Sequence, residues 1–189
     1  MAKKSIQTMA VKKVVIIGPE STGKSTLCKE LAAHFQTQWC PEYAREYLTK
    51  NGTAYTYDDL LVIAKNQLLL EDRCTADLNN TSSENKLLFI DTDMYVMKVW
   101  CEYVFERCHQ FILDQISDRQ YDLYILCSVD IPWVQDELRE YPQEGPRQEL
   151  FQIYKDLLIN QTVPWITVSG NYQQRLNTAI FAVDALLNQ

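Results

Sequence analysis

Gly18-Pro19-Glu20-Ser21-Thr22-Gly23-Lys24-Ser25 sets two glycines, a lysine and a serine at the spacing of a phosphate-binding loop. In that pattern the backbone N–H groups from Glu20 to Lys24 converge on phosphate oxygens, where the helix that starts there adds favourable charge. Gly18 and Gly23 supply the backbone freedom and close approach that a side chain would block. Lys24 can reach β and γ phosphates, and the Ser25 hydroxyl can ligate Mg²⁺. A plain glycine turn between strand and helix is the competing reading. The chain has five glycines in all, and two fall at the required positions, which favours the phosphate loop.

Carboxylates able to work with such a loop follow two apolar stretches. Asp91 comes directly after Leu87-Leu88-Phe89-Ile90 and has the placement of a Walker B carboxylate, holding Mg²⁺ directly or through water. Asp93 fits the same acidic cluster and, equally, the cap of a helix beginning near Met94. Glu42 follows Gln38-Trp39-Cys40-Pro41, where a carboxylate can take a proton from a hydroxyl aligned with the γ phosphate. A first-turn glutamate favoured by the helix dipole explains the same residue. Arg45, one helical turn on, either orients Glu42 or forms an exposed ion pair.

Arg139 and Arg147 lie in a polar, proline-punctuated stretch that suits a lid over bound nucleotide, at about 130–150. There they either stabilise charge on a transferring phosphoryl group or pair with nearby glutamates as solvated groups. Trp100, Tyr103, Phe105 and Trp133 can stack on a flat ring, and a cationic ring would gain from cation–π attraction. The helical spacing of Val96, Val99, Trp100, Tyr103 and Val104 is also what a buried face requires without any ligand.

The elements needed to position these groups are legible. Val14-Val15-Ile16-Ile17 reads as a buried parallel strand ahead of the loop, and a helix follows to about Gln36. A short strand, Gln38 to Cys40, precedes a helix from Glu42 that Asn51-Gly52 closes. Tyr57 to about Leu78 predicts a longer helix, and Asn79 to Asn85 a loop. Leu87 to Ile90 is a strand, Tyr95 to about Phe111 a helix with a further helical piece to Ser117, and Leu123 to Cys127 a strand. Trp165 to Val168 is the last strand, with Gly170 after it and a closing helix from about Tyr172 to Leu187. Strands alternating with helices predict an α/β fold with a five-stranded parallel sheet and helices on both faces. In such a sheet ligands lie beyond the carboxyl ends of the strands, where the candidate residues fall.

Composition narrows the class. A chain of 189 residues, 47% hydrophobic and 23% charged, is expected to form one domain with a substantial core. The net charge of −7, with no basic, aromatic-interleaved stripe, argues against nucleic acid as the main partner. Six cysteines without CxxC spacing read as reduced core residues. The sequence has no apolar run of about 18 residues, so no ordinary membrane span is expected. With no secretory signal pattern at the start, the cytoplasm is the expected compartment.

Taken together, Gly18 to Leu27, Pro41-Glu42-Tyr43-Ala44-Arg45-Glu46-Tyr47, Asp91-Thr92-Asp93, Lys98 to Tyr103 and Ile131-Pro132-Trp133-Val134-Gln135-Asp136 resemble the ribosylnicotinamide kinase domain of NadR-type proteins. The resemblance runs from Val14 to about Ala179. It implies a P-loop NTPase fold of the nucleoside-kinase type, and phosphorylation of the 5′-hydroxyl of nicotinamide riboside by ATP to give nicotinamide mononucleotide in NAD salvage. By position it implies that Gly18, Glu20, Ser21, Thr22, Gly23, Lys24, Ser25 and Thr26 bind ATP phosphates and Mg²⁺, with Asp91 serving the metal. Glu42 resembles the base that follows the second strand, with Asp93 as runner-up, and Arg139 resembles a lid arginine. Trp100, Tyr103 and Trp133 are the candidates to hold the pyridinium ring, and Gly170 through Arg175 resembles an adenine-side loop.

NadR-type proteins often carry glycine where this chain has Glu137, at the lid. The larger ones also carry a nucleotidyltransferase domain and sometimes a DNA-binding domain, and neither is expected here. A P-loop kinase of another nucleoside or small hydroxyl compound, and a catalytically silent ATP-binding module, are the competing functions. A regulatory GTPase is disfavoured, because Asn85-Lys86-Leu87-Leu88 lacks the aspartate of a guanine-reading motif.

Overall fold

In the computed structural model, which describes residues 10–81, 86–133 and 144–188, five strands form one parallel sheet in the order β2-β3-β1-β4-β5. The strands are β1 (Lys12–Ile17), β2 (Gln38–Cys40), β3 (Leu87–Asp91), β4 (Leu123–Cys127) and β5 (Trp165–Val168). Between and after them run α1 (Lys24–His34), α2 (Tyr43–Asn51), α3 (Tyr57–Asn80), α4 (Met94–Phe105), α5 (Gln110–Asp118), α6 (Glu144–Ile159) and α7 (Tyr172–Leu187).

The period of two along each central strand divides its side chains between two cores. Val14 and Ile16, Leu87 and Phe89, and Leu123 and Ile125 face α1 and α7, where they meet Leu27, Leu31, Ala179 and Val183. Val15 and Ile17, Leu88 and Ile90, and Tyr124 and Leu126 face the other way, onto Val96, Val99, Leu150, Tyr154 and Leu158. Both faces are covered, so the strands read as unbroken apolar runs rather than alternating ones. A third cluster joins α2, α3, α4 and α5 through Ala44, Leu60, Ile63, Leu68, Met97 and Ile112.

β1 lies at the centre, with β3 on one side and β4 on the other, so its carboxyl end is the point where the strand order reverses. The phosphate loop begins there. At the opposite end of the sheet the fully buried carboxylate of Glu71 accepts from Lys13 Nζ at 2.6 Å, Arg119 Nη1 at 3.2 Å and the Tyr121 hydroxyl at 3.0 Å. A buried charge persists only with such partners.

Two elements differ from the sequence reading. The helix expected from Tyr95 to about Phe111 stops at Phe105, where Glu106 turns left-handed at φ 56°, and resumes as α5 at Gln110. Between them Arg107 lies 4.0 Å from the Tyr57 ring centre and His109 stacks on that ring at 3.7 Å, contacts from α3 that no local pattern encodes. The second difference is α6, which sequence reading treated as the end of a lid and the connection beyond it. Residues 144–150 of the expected lid lie in its first turns, and Pro146 is tolerated there because the first-turn N–H has no intrahelical partner.

Candidate active site

Gly18 sits at φ 140°, and a Cβ there would lie 2.8 Å from the Cys127 carbonyl of β4, so the chain leaves β1 through a gap only glycine fits. Gly23 occupies the N-cap of α1 in the left-handed conformation, at φ 79°. With no side-chain cap and no acidic residue in the first turn of α1, the first N–H groups and the dipole remain available to an anion. The loop is braced from within by Thr22 Oγ1 donating to Pro19 O at 2.7 Å and by Lys24 Nζ donating to the same carbonyl at 2.9 Å.

From this loop a cavity of about 220 Å³ extends toward α2 and α4. Its floor is Gly18 to Thr26, and Glu42 and Arg45 line the α2 side. Val96, Val99, Trp100 and Tyr103 of α4 form an apolar and aromatic wall that Leu150 and Tyr154 of α6 complete. The Trp100 indole N–H donates to the Tyr55 hydroxyl at 2.8 Å, which fixes the ring edge and leaves its body facing the cavity.

Glu42 stands at the N-cap of α2 without a capping bond from its side chain among the described residues. Its backbone is held instead by Gln67 of α3, only 1% exposed, whose Oε1 accepts from Tyr43 N at 2.7 Å while Nε2 donates to Pro41 O at 3.3 Å. The one amide thus grips the residues on both sides of Glu42. Across the sheet, Thr92 adopts φ 81°, an uncommon conformation for a β-branched residue, and its hydroxyl faces Glu42 Oε1 at 3.5 Å.

Asp91 is 1% exposed, and neither carboxylate oxygen has a hydrogen-bond partner of regular geometry among the described residues. Burial, then the charge of Glu42, raises its pKa to about 6, while Lys24, the Ser25 hydroxyl and Arg45 pull the other way. Two orphaned buried oxygens beside a serine hydroxyl fit a hard divalent cation such as Mg²⁺. Asp93 is placed differently. Its Oδ1 accepts from the N–H groups of Tyr95 and Val96, capping α4, and its Oδ2 accepts from the Tyr124 hydroxyl at 2.8 Å. Asp93 is not among the residues lining the cavity, and burial raises its pKa to about 7.

The two described arginines expected at the nucleotide are engaged behind the loop. Arg147 donates to Ser21 O at 3.3 Å, and its guanidinium lies 5.6 Å from the Trp133 ring centre. Arg175 donates to Thr22 O at 3.0 Å and, through Nε, to Gly170 O at 2.8 Å. Trp133, expected against the acceptor ring, is not among the residues lining the cavity, and Arg139 lies outside the described residues. Leu48, Leu150 and Tyr154 line the cavity without having been singled out in the sequence. The apolar spacing of Leu150, Tyr154 and Leu158 was the one available signal for the last two.

A parallel sheet of this order, with the phosphate loop after its central strand and a carboxylate at the end of the adjacent one, defines the P-loop NTPase class. A family model described as AAA domain (AAA_28) matches residues 13–175, and the chain belongs to that family. It is 29% identical over 189 residues to the trifunctional NAD biosynthesis/regulator protein NadR of Escherichia coli (strain K12), covering 97% of this chain and 45% of that protein. The chain therefore spans about half the length of the curated relatives it matches. A crystal structure of NadR protein in complex with NR superposes with a TM-score of 0.78 at 25% identity, over 95% of this chain and 50% of that one. Thymidylate kinase from Ehrlichia chaffeensis gives 0.61 at 10% identity, over 92% and 99%, and shows the same fold.

Proposed function

We propose that this chain is a single P-loop kinase domain that transfers the γ-phosphoryl group of ATP to the 5′-hydroxyl of nicotinamide riboside, yielding nicotinamide mononucleotide and ADP. The observation that carries this reading is one continuous cavity that joins the phosphate loop to the Trp100 and Tyr103 wall past the Glu42 carboxylate. Donor, base and acceptor sites then lie in the order that in-line transfer needs. Similarity to a NadR structure that holds NR supports the choice of acceptor.

In this reading the N–H groups at the start of α1 and the Lys24 ammonium hold the triphosphate, with Lys24 leaving Pro19 O to do so. The acceptor ring lies along Trp100 and Tyr103, whose faces suit a flat cation. Glu42 takes the hydroxyl proton as the acceptor oxygen bonds to γ phosphorus and the bond to the β,γ-bridging oxygen breaks, leaving ADP. Ser25 and Asp91 would hold Mg²⁺, which supplies charge neutralisation at the β and γ oxygens. Asp93 caps α4 and so positions the Trp100 wall.

The test is ADP release with ATP and Mg²⁺ against nicotinamide riboside, uridine, cytidine, thymidine and nicotinamide mononucleotide. Strong preference for nicotinamide riboside is expected. Turnover of another nucleoside alone would keep the kinase and overturn the substrate, and ATP binding with no acceptor turned over would sink the kinase reading.

A further inference from the structure

We propose that Arg175 and Arg147 form a clamp behind the phosphate loop and act as positioning residues, setting the direction of its peptide groups rather than touching nucleotide. This rests on the reading of the loop as a triphosphate site. Arg175, 3% exposed, donates to four acceptors: Gly170 O at 2.8 Å, Thr22 O at 3.0 Å, Ser128 O at 3.1 Å, and the Asp130 carboxylate. Arg147, 4% exposed, donates to Ser21 O at 3.3 Å and Ile131 O at 3.4 Å. The two guanidiniums therefore hold consecutive carbonyls of the loop, one from α6 and one from α7.

A trans peptide is planar, so its C=O and the next N–H point in opposite directions. Drawing Ser21 O and Thr22 O toward the arginines turns the N–H groups of Thr22 and Gly23 the other way. Loop residues line the cavity, and neither arginine is among its lining residues, so the carbonyls are held on the side away from it. Ser21 is at φ 56°, a left-handed conformation for a non-glycine residue, which needs support of this kind to persist. Asp130 also accepts from Gly170 N at 2.5 Å, so the same cluster ties the end of β4 and the β5–α7 turn to the loop. Only a guanidinium offers donors in a fixed fork, and a lysine ammonium is unable to span four acceptors in this arrangement.

Arg175→Lys and Arg147→Lys test the clamp in the full chain, by calorimetric titration with tripolyphosphate and with Mg-ATP, beside acceptor KM and thermal unfolding. Loss of charge-assisted bonds to the loop is expected to weaken tripolyphosphate and ATP by about tenfold in Arg175→Lys. Acceptor KM should stay unchanged, and unfolding should remain cooperative. Unchanged triphosphate affinity in the folded variants, or an equal loss at the acceptor site, overturns the proposal. Should Arg175→Lys fail to fold, Asp130→Asn, at a side chain 42% exposed, provides the same measurement. A smaller loss confined to triphosphate supports the clamp, and no loss overturns it. A wild-type chain that binds tripolyphosphate yet phosphorylates no nucleoside would sink the kinase reading alone, since the clamp is measured by binding.

Discussion

Glu42 lines the cavity beside the phosphate loop, its backbone neighbours held by Gln67 and its side chain reached by the Thr92 hydroxyl at 3.5 Å. In the proposed reaction, Glu42→Gln should lower kcat by about two to four orders of magnitude while the dissociation constant for ATP stays near wild type. Steady-state kinetics beside nucleotide titration decide this, and a parallel loss of ATP affinity would remove Glu42 from the role of base. Asp91 makes a separate prediction through pH. Its pKa, raised to about 6 by burial and Glu42, leaves the carboxylate protonated below that value. Proton and cation compete for one group, so the Mg²⁺ concentration needed for half-maximal rate should rise about tenfold per unit as pH falls below 6. Asp91→Asn should raise that requirement above about pH 6, where the wild-type carboxylate is ionised, and flatten its pH dependence.

Elements carry these groups to one place, and single contacts decide how well. Gln67 reaches from α3 to the backbone on either side of Glu42, so Gln67→Leu leaves Tyr43 N and Pro41 O without their partner. The expected result is a fall in kcat of about tenfold with ATP affinity unchanged, since a buried bond worth about 1 to 3 kcal/mol is lost at the base and not at the loop. At the start of α4, Asp93 is a cap with a burial-raised pKa of about 7. The folded chain binds that proton more tightly than the unfolded one, so its contribution to stability is full below about pH 4 and is lost as pH rises through about 7. Asp93→Asn keeps an acceptor for Tyr95 and Val96 and cannot ionise. Urea midpoints from pH 5 to 8 should show wild type losing stability relative to this variant, and parallel curves would refute the assignment.

Across the whole molecule, stability and chemistry lie at opposite ends of the sheet. Glu71 pairs with Lys13 and Arg119 and accepts from Tyr121 near the amino end of β1, while the candidate site lies beyond its carboxyl end. Glu71→Ala should cost about 3 to 5 kcal/mol in denaturant unfolding, because two cations lose a buried partner. Turnover measured well below the unfolding transition should hardly change. A comparable loss of ATP affinity would mean the two ends are coupled through the sheet.

The phosphate loop, the strands and the placement of Asp91 and Glu42 were legible in the sequence because each depends on local pattern: glycine spacing, β-branched runs, and a carboxylate directly after an apolar strand. The break at Glu106 was not, since Arg107 and His109 pack on Tyr57 from α3. Nor was α6 read in full, because Gly145, Pro146 and neighbouring polar residues mask its start while Leu150, Tyr154 and Leu158 show their purpose only against β4 and α4. Sequence reading offered Arg147 for a transferring phosphoryl group and Arg175 for an adenine-side loop, but the fold buries both against loop carbonyls. Asp93 read equally as a member of the acidic cluster and as a cap, and Tyr124 across the sheet together with the α4 amides engages both its oxygens. Sequence by itself determined which groups with phosphate chemistry exist and which strand each one follows. Tertiary structure decided where those side chains point, because direction is set by contacts between residues far apart in the chain.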